Sequence, residues 1–156
     1  MAEVSPAATA SPERRPSPDP GRARLDPDDS RALALLAAEA CDDRKAVDIR
    51  LIRVEEISSL ADWFLICSGL TDVQVRAIAR SVEETLELAA ARLPLRREGQ
   101  SEGRWVLLDY GELIVHVLTP QERAYYDLES FWGHGEQERY HSPGPAPAGS
   151  PLGGVA

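Results

Sequence analysis

The segment Arg104–Leu118, RWVLLDYGELIVHVL, constrains the fold most strongly because it predicts a β-hairpin with two unlike faces. Glycine tolerates a positive φ, so we place a two-residue turn at Tyr110-Gly111, which puts Trp105 opposite His116. Side chains alternate between the two faces of a strand, and here one face is purely aliphatic. That face holds Val106, Leu108, Leu113, Val115 and Val117. It is expected to lie over core helices.

The other face of the hairpin is mixed: it is apolar in the middle, acidic at one end and aromatic at the other. It holds Trp105, Leu107, Asp109, Glu112, Ile114, His116 and Leu118. In the predicted register Asp109 faces Glu112, an unfavourable pair of like charges that a nearby cation would relieve. An aromatic ring among aliphatic groups with an acidic rim is typical of a protein-binding patch, and Trp is enriched among binding hot spots.

The mixed face also has a purely structural interpretation. The first or the last helix of the chain could cover it, and Trp105 and His116 would then be core residues with satisfied hydrogen bonds. The hairpin sequence alone is compatible with both interpretations.

The remaining elements follow from periodicity and turn chemistry. Helices are predicted at about 29–43, 72–92 and 120–132, with strands at 46–56, 62–67 and 95–98 besides the hairpin. The apolar run at 62–67 predicts a strand covered on both faces, and Cys41 and Cys67 are expected to be buried free thiols. Together these elements predict one α/β domain with a mixed sheet of about five strands flanked by helices.

Both ends of the chain are rich in proline and poor in large apolar residues. Six of the 12 prolines fall in the first thirty residues and four in the last sixteen. Such segments cannot bury enough surface to offset their ordering entropy, so residues 1–27 and 141–156 are predicted to be disordered around a domain at 28–140. We find no signal-peptide, transit-peptide or membrane-spanning pattern, and we expect a cytoplasmic location.

The net charge of −9 argues against tight binding to naked nucleic acid and suits a basic protein partner. The three histidines lack metal-ligand spacing with the cysteines, so neither a metal nor a cofactor is predicted. The enzymatic alternative is a divergent nucleotidyltransferase that uses Ser68, Asp109 and Glu112 with Mg²⁺. No Gly-rich loop or Walker lysine accompanies the Ser68-Gly69 turn, which is more simply a strand-to-helix connection.

Three stretches of the sequence resemble the ribosomal silencing factor family, also called the Iojap-like family. They are KAVDIRLIRVEEISSLADWFLICSG, VRAIARSVEETL and EGRWVLLDYGELIVHVLTPQERAYYDLESFWG, and the resemblance as a whole covers about residues 30–133. The resemblance implies a mixed-sheet fold similar to that of nucleotidyltransferases and a non-catalytic function. It implies binding to the large ribosomal subunit through its protein number fourteen, which blocks joining of the small subunit and represses translation when nutrients are scarce.

The resemblance also locates the expected contact surface. Trp105 matches the family's strand Trp, and Asp109-Tyr110-Gly111 with Glu112 matches its turn. The predicted partner-binding residues are therefore Trp105, Leu107, Asp109, Tyr110, Glu112, Ile114 and His116. Active nucleotidyltransferases of similar fold carry a Gly-Ser turn and an Asp-x-Asp pair, which Ser68-Gly69 and Asp109-Tyr110-Gly111 do not reproduce. Formation of a homodimer through the mixed face or a sheet edge stays open.

Overall fold

The computed structural model describes residues 27–54, 61–132 and 136–142. The helices are α1 (Pro27–Asp43), α2 (Asp72–Ala90), α3 (Pro120–Tyr126) and α4 (Leu128–Phe131). The strands are β1 (Val47–Arg53), β2 (Trp63–Ser68), β3 (Arg96–Glu98), β4 (Trp105–Asp109), β5 (Leu113–Leu118) and β6 (Glu136–Arg139). The predicted tails lie outside the described residues apart from Pro27, His141 and Ser142, as do the predicted strand end at 55–56 and the helix stop at Gly133.

The strands form one mixed sheet in the order β3-β4-β5-β2-β1-β6. β2 and β5 run parallel, and every other neighbouring pair is antiparallel. This confirms the single α/β domain with a mixed sheet flanked by helices. The prediction of about five strands omitted β6, whose sequence EQER is polar and carries no strand signal.

Central strand β2 is buried along its whole length, as its continuous apolar sequence predicted. Its alternate side chains enter two clusters on opposite faces of the sheet. Trp63, Leu65 and Cys67 join the larger cluster with α1 and α2. Phe64 and Ile66 join the smaller cluster, whose partly buried members include Trp105, Leu107, Leu128 and Trp132. Both cysteines are free and buried, which confirms that prediction.

Helix α2 begins where the capping pattern predicted. The Thr71 hydroxyl accepts from the backbone N–H of Gln74 at 3.1 Å, and the Gln74 side chain accepts from the Leu70 N–H at 2.8 Å. The helix ends at Ala90 rather than at 92, because Ala91 adopts the left-handed conformation with φ 54°. The N–H groups of Ala91 and Arg92 then bond back to Glu87 and Leu86, which closes the helix.

The prediction of one continuous last helix is wrong, because the helix is broken at Asp127. This residue has φ 49° and ψ 52°, and it separates α3 from α4. On a continuous helix Tyr126 and Trp132 would point about 120° apart at 100° per residue. The break allows Tyr126 to pack on Trp105 while Trp132 packs on Phe64, both over the same face of the sheet.

Candidate functional site

The strand pairing in the hairpin is shifted by two residues from the predicted register. Trp105 lies opposite Leu118 and Leu107 opposite His116, and the Tyr110 N–H donates to the Leu113 carbonyl at 2.8 Å. The turn is therefore centred on Gly111-Glu112, with Gly111 at φ 96° in the position where two-residue turns use glycine. A shift of two residues preserves the alternation, so the division into an aliphatic and a mixed face is unchanged.

The predicted like-charge pair does not form, because Asp109 lies opposite Ile114. The Asp109 carboxylate accepts from the Gly111 N–H at 2.8 Å and lies 3.6 Å from Arg96. Glu112 makes two bonds to the Arg92 guanidinium, at 2.7 and 2.9 Å, in a half-buried position. Both acids therefore already have an arginine of this chain as a counterion.

Tyr110, also predicted to contact the partner, lies on the aliphatic side. It is 1% exposed within the larger cluster, and burial raises the pKa of its hydroxyl. The Arg92 side chain donates to the Tyr110 carbonyl at 2.8 Å. In this conformation Tyr110 can anchor the turn but presents no side-chain surface to a partner.

Trp105 and His116 lie together on the mixed face, although they are not directly opposite one another. The Trp105 indole N–H donates to His116 Nδ1 at 3.2 Å. His116 is 5% exposed, and burial lowers its pKa from 6.5 to about 4, so the ring is neutral at pH 7. Ile114 is buried beside them, while Trp105 and Leu107 are only half-buried. The structural interpretation therefore holds for His116, which is a core residue. Trp105 lies partly in the core and partly at the surface.

Aromatic side chains from α3 and from the residue that follows α4 extend the mixed face, and the sequence pattern did not assign them to the site. Tyr126 packs on Trp105 with ring centroids 4.7 Å apart, and Tyr125 packs edge-on against Tyr126 at 4.9 Å. Trp132 packs on Phe64 at 5.1 Å. The signal was the run YYDLESFW, which a helical periodicity alone does not divide into buried and exposed positions.

The residues of the enzymatic alternative are not brought together. Ser68 pairs with Leu118 at the end of parallel strand β5, while Glu112 precedes the start of that strand. The two ends of β5 are five residue steps of about 3.3 Å apart, which is roughly 17 Å. The Ser68 hydroxyl instead accepts from Arg123 at 3.0 Å. In the described parts of the chain, no cluster of three or more His, Cys, Asp or Glu side chains could hold a metal ion.

Sequence and structure comparisons give a consistent family assignment. The family profile described as ribosomal silencing factor during starvation matches residues 27–150. A Bacillus subtilis protein named ribosomal silencing factor RsfS is 45% identical over 103 residues, 66% of this chain and 86% of that protein. A Zymomonas mobilis protein of the same name is 34% identical over 122 residues, 78% of this chain and 91% of that protein.

A crystal structure of a Chromobacterium violaceum protein superposes with a TM-score of 0.64 at 34% identity, covering 75% of this chain and 96% of that one. None of the described helices has the length and apolar composition needed to cross a membrane. That crystal structure shares this chain's fold over nearly its whole length, and the two sequence relatives are named as ribosomal silencing factors. The chain belongs to the ribosomal silencing factor family.

Proposed function

We propose that this protein represses translation in the cytoplasm by binding the large ribosomal subunit through a basic ribosomal protein, large-subunit protein number fourteen. The bound factor would occupy space that the small subunit needs, so that the two subunits cannot join. Family membership supports the regulatory role, and the net charge of −9 suits a basic partner. No catalytic step is required.

The observation that carries the proposal is the state of Trp105. Its indole is half-buried, fixed by the bond to His116 and packed against Tyr126. A pre-positioned aromatic ring loses little conformational entropy on binding, which favours a role as an interface anchor. Leu107 beside it adds apolar contact area, while Ile114 and His116 support the surface from below.

The proposal assigns different roles to the remaining predicted residues. Asp109 and Glu112 already bind arginines of this chain, and Tyr110 is buried, so they stabilise the hairpin that presents Trp105. We therefore place the apolar centre of the contact near Trp105. Asp109 lies about 13 Å further along β4, at about 3.3 Å per residue.

Co-sedimentation with purified large subunits at moderate salt tests this proposal. Trp105→Ala is expected to weaken binding by about 2 kcal/mol or more, with circular dichroism showing an intact fold. The wild type is also expected to prevent small subunits from joining in a sedimentation assay, and the variant to lose this effect in parallel. A wild type that does not co-sediment with large subunits would refute the proposal.

A further inference from the structure

Helix α3 presents two tyrosines that lie next to Trp105 and face solvent. Tyr125 is 80% exposed and Tyr126 is 49% exposed. Their rings contact each other, and Tyr126 contacts Trp105, so the three form one continuous surface, here called the aromatic edge. Isolated apolar residues are common on protein surfaces, whereas a contiguous set of exposed rings indicates an interaction site.

The aromatic edge is rigid at its base. The Trp105 indole is fixed by His116, which itself packs edge-on against buried Phe64 with centroids 5.0 Å apart. Tyr126 occupies the last position of α3, and the left-handed Asp127 that follows it sets the direction of the chain. The tyrosines are therefore presented by a fixed support, which lowers the entropy cost of contact.

Two carboxylates close to these rings in sequence, one on α3 and one at its cap, lack a counterion. In the described part of the chain, the side chains of Glu122 and Asp127 have no ion-pair or hydrogen-bond partner. Arg123 lies between them in sequence but is directed inward. Its guanidinium contacts Glu129 at 2.6 Å and Asp48 at 3.4 Å, and its side chain is only 10% exposed. The unpaired charge of this helix and its cap is consequently negative.

The hairpin turn lacks this combination of features. Asp109 and Glu112 are neutralised by Arg96 and Arg92, and the neighbouring Tyr110 is buried. Exposed rings and unpaired acids thus occur together at the α3 end of the mixed face and not at the turn end. A cation from a partner would therefore be better accommodated at α3.

We infer that the aromatic edge, with Glu122 and Asp127, is the part of the surface that selects the partner, and that it receives an arginine-bearing patch of a basic protein. This inference rests on the proposed function and names the chemistry of its contact. A guanidinium can stack on a tyrosine ring while it pairs with a carboxylate, and it is less strongly hydrated than a lysine ammonium. The side-chain stem of the arginine would cover the exposed ring of Tyr125.

The test measures binding of the full chain to purified large subunits by co-sedimentation, with matched controls on α2. Tyr125→Ala is compared with Leu88→Ala, since Leu88 is 88% exposed on a different helix. The double neutralisation Glu122→Gln/Asp127→Asn is compared with Glu84→Gln/Glu87→Gln, which changes the net charge equally at exposed positions. Asparagine tolerates the left-handed conformation, so Asp127→Asn should preserve the break between α3 and α4.

Tyr125→Ala and the α3 double variant are each expected to lower affinity about tenfold or more. The α2 controls should stay within about twofold of wild type. Tyr125→Leu, which keeps an apolar side chain but removes the ring, should restore only part of the lost affinity. The α3 double variant should also show a weaker dependence of binding on salt concentration.

The outcomes separate this inference from the function on which it rests. If the wild type fails to sediment with large subunits, both fall. If the wild type binds and Tyr125→Ala binds equally well, only the aromatic edge is refuted. If Tyr125→Leu matches wild type, apolar burial and not arginine stacking makes the contact, which also overturns the inference. If Tyr125→Ala alters only self-association of the free protein, a second copy of the chain occupies the edge.

Discussion

The indole N–H of Trp105 donates a hydrogen bond to Nδ1 of His116 across 3.2 Å, although the two residues are not paired directly across the hairpin. This bond requires a neutral imidazole, because a protonated ring offers no acceptor at Nδ1. It joins a buried residue to a half-exposed one. The core therefore controls the orientation of the side chain on which the proposed docking surface depends.

We predict that stability falls on acidification through the titration of His116. Its pKa is about 4 in the fold and 6.5 in the unfolded chain, so the unfolded state takes up the proton first as the pH drops. The stability that the neutral His116 contributes is fully present above pH 6.5 and is lost as the pH falls from 6.5 to 4. It does not change further below pH 4. The full loss is about 3 kcal/mol.

Urea denaturation at several pH values measures this contribution. His116→Phe is the control, because it removes the titrating group while it fills the buried site. Carboxylates also titrate near the lower end of the range, so the quantity of interest is the difference in slope between the two proteins. Equal slopes between pH 6.5 and 4 would show that His116 is not responsible.

A second prediction concerns the ion pair between Arg92 and Glu112. Glu112→Gln should destabilise the fold by about 1–3 kcal/mol, because a half-buried guanidinium loses its carboxylate. Glu138→Gln disrupts a similar two-bond contact to Arg31 in a more exposed position and should cost at most about 1 kcal/mol. Chemical denaturation compares the two, and a larger loss for Glu138→Gln would contradict the assigned difference in burial.

A third prediction is that Ala91→Gly stabilises the protein. Ala91 ends α2 in the left-handed conformation, which costs an alanine about 1 kcal/mol and a glycine almost nothing. The same substitution one residue earlier, Ala90→Gly, replaces the last helical residue and should destabilise by about 0.5–1 kcal/mol. Thermal melts of both variants should shift in opposite directions, and two downward shifts would refute the assigned helix end.

A fourth prediction is that Gly99 is required because the Trp105 backbone passes too close to it for a side chain. Gly99 has φ 87°, and a Cβ there would lie 1.9 Å from the Trp105 carbonyl oxygen, so Gly99→Ala must displace that strand. Gly111 has φ 96° but meets no atom closer than 3.6 Å, so Gly111→Ala carries only the backbone strain. Gly99→Ala should be the more destabilising of the two in denaturation and should also weaken large-subunit binding; equal stability losses would contradict the close contact.

Local chemistry explains which parts of the fold were predictable. Caps at Thr71 and Thr119, the stop after Ser68 and the burial of β2 depend on near neighbours and on periodicity. The two faces of the hairpin were also predicted correctly although the register was wrong. A slip of two residues leaves every side chain on the same face, so the alternating pattern is insensitive to that error.

Other features depend on residues far apart in the chain. Glu112 binds Arg92, Arg31 binds Glu138 in polar strand β6, and Arg123 reaches Ser68. No spacing rule signals such pairs, because each exists only after the sheet has brought its elements together. Likewise, only the parallel pairing of β2 and β5 places Ser68 and Glu112 at opposite ends of these strands.

The sequence by itself determined the α/β class, the family resemblance and the division of the hairpin into an aliphatic and a mixed face. Only the tertiary structure decided that His116 is core, that Trp105 is half-exposed and that Tyr125 and Tyr126 continue its surface. The reason is that burial is a property of what packs on a face. The break at Asp127 turns Trp132 onto the mixed face and leaves Tyr125 in solvent.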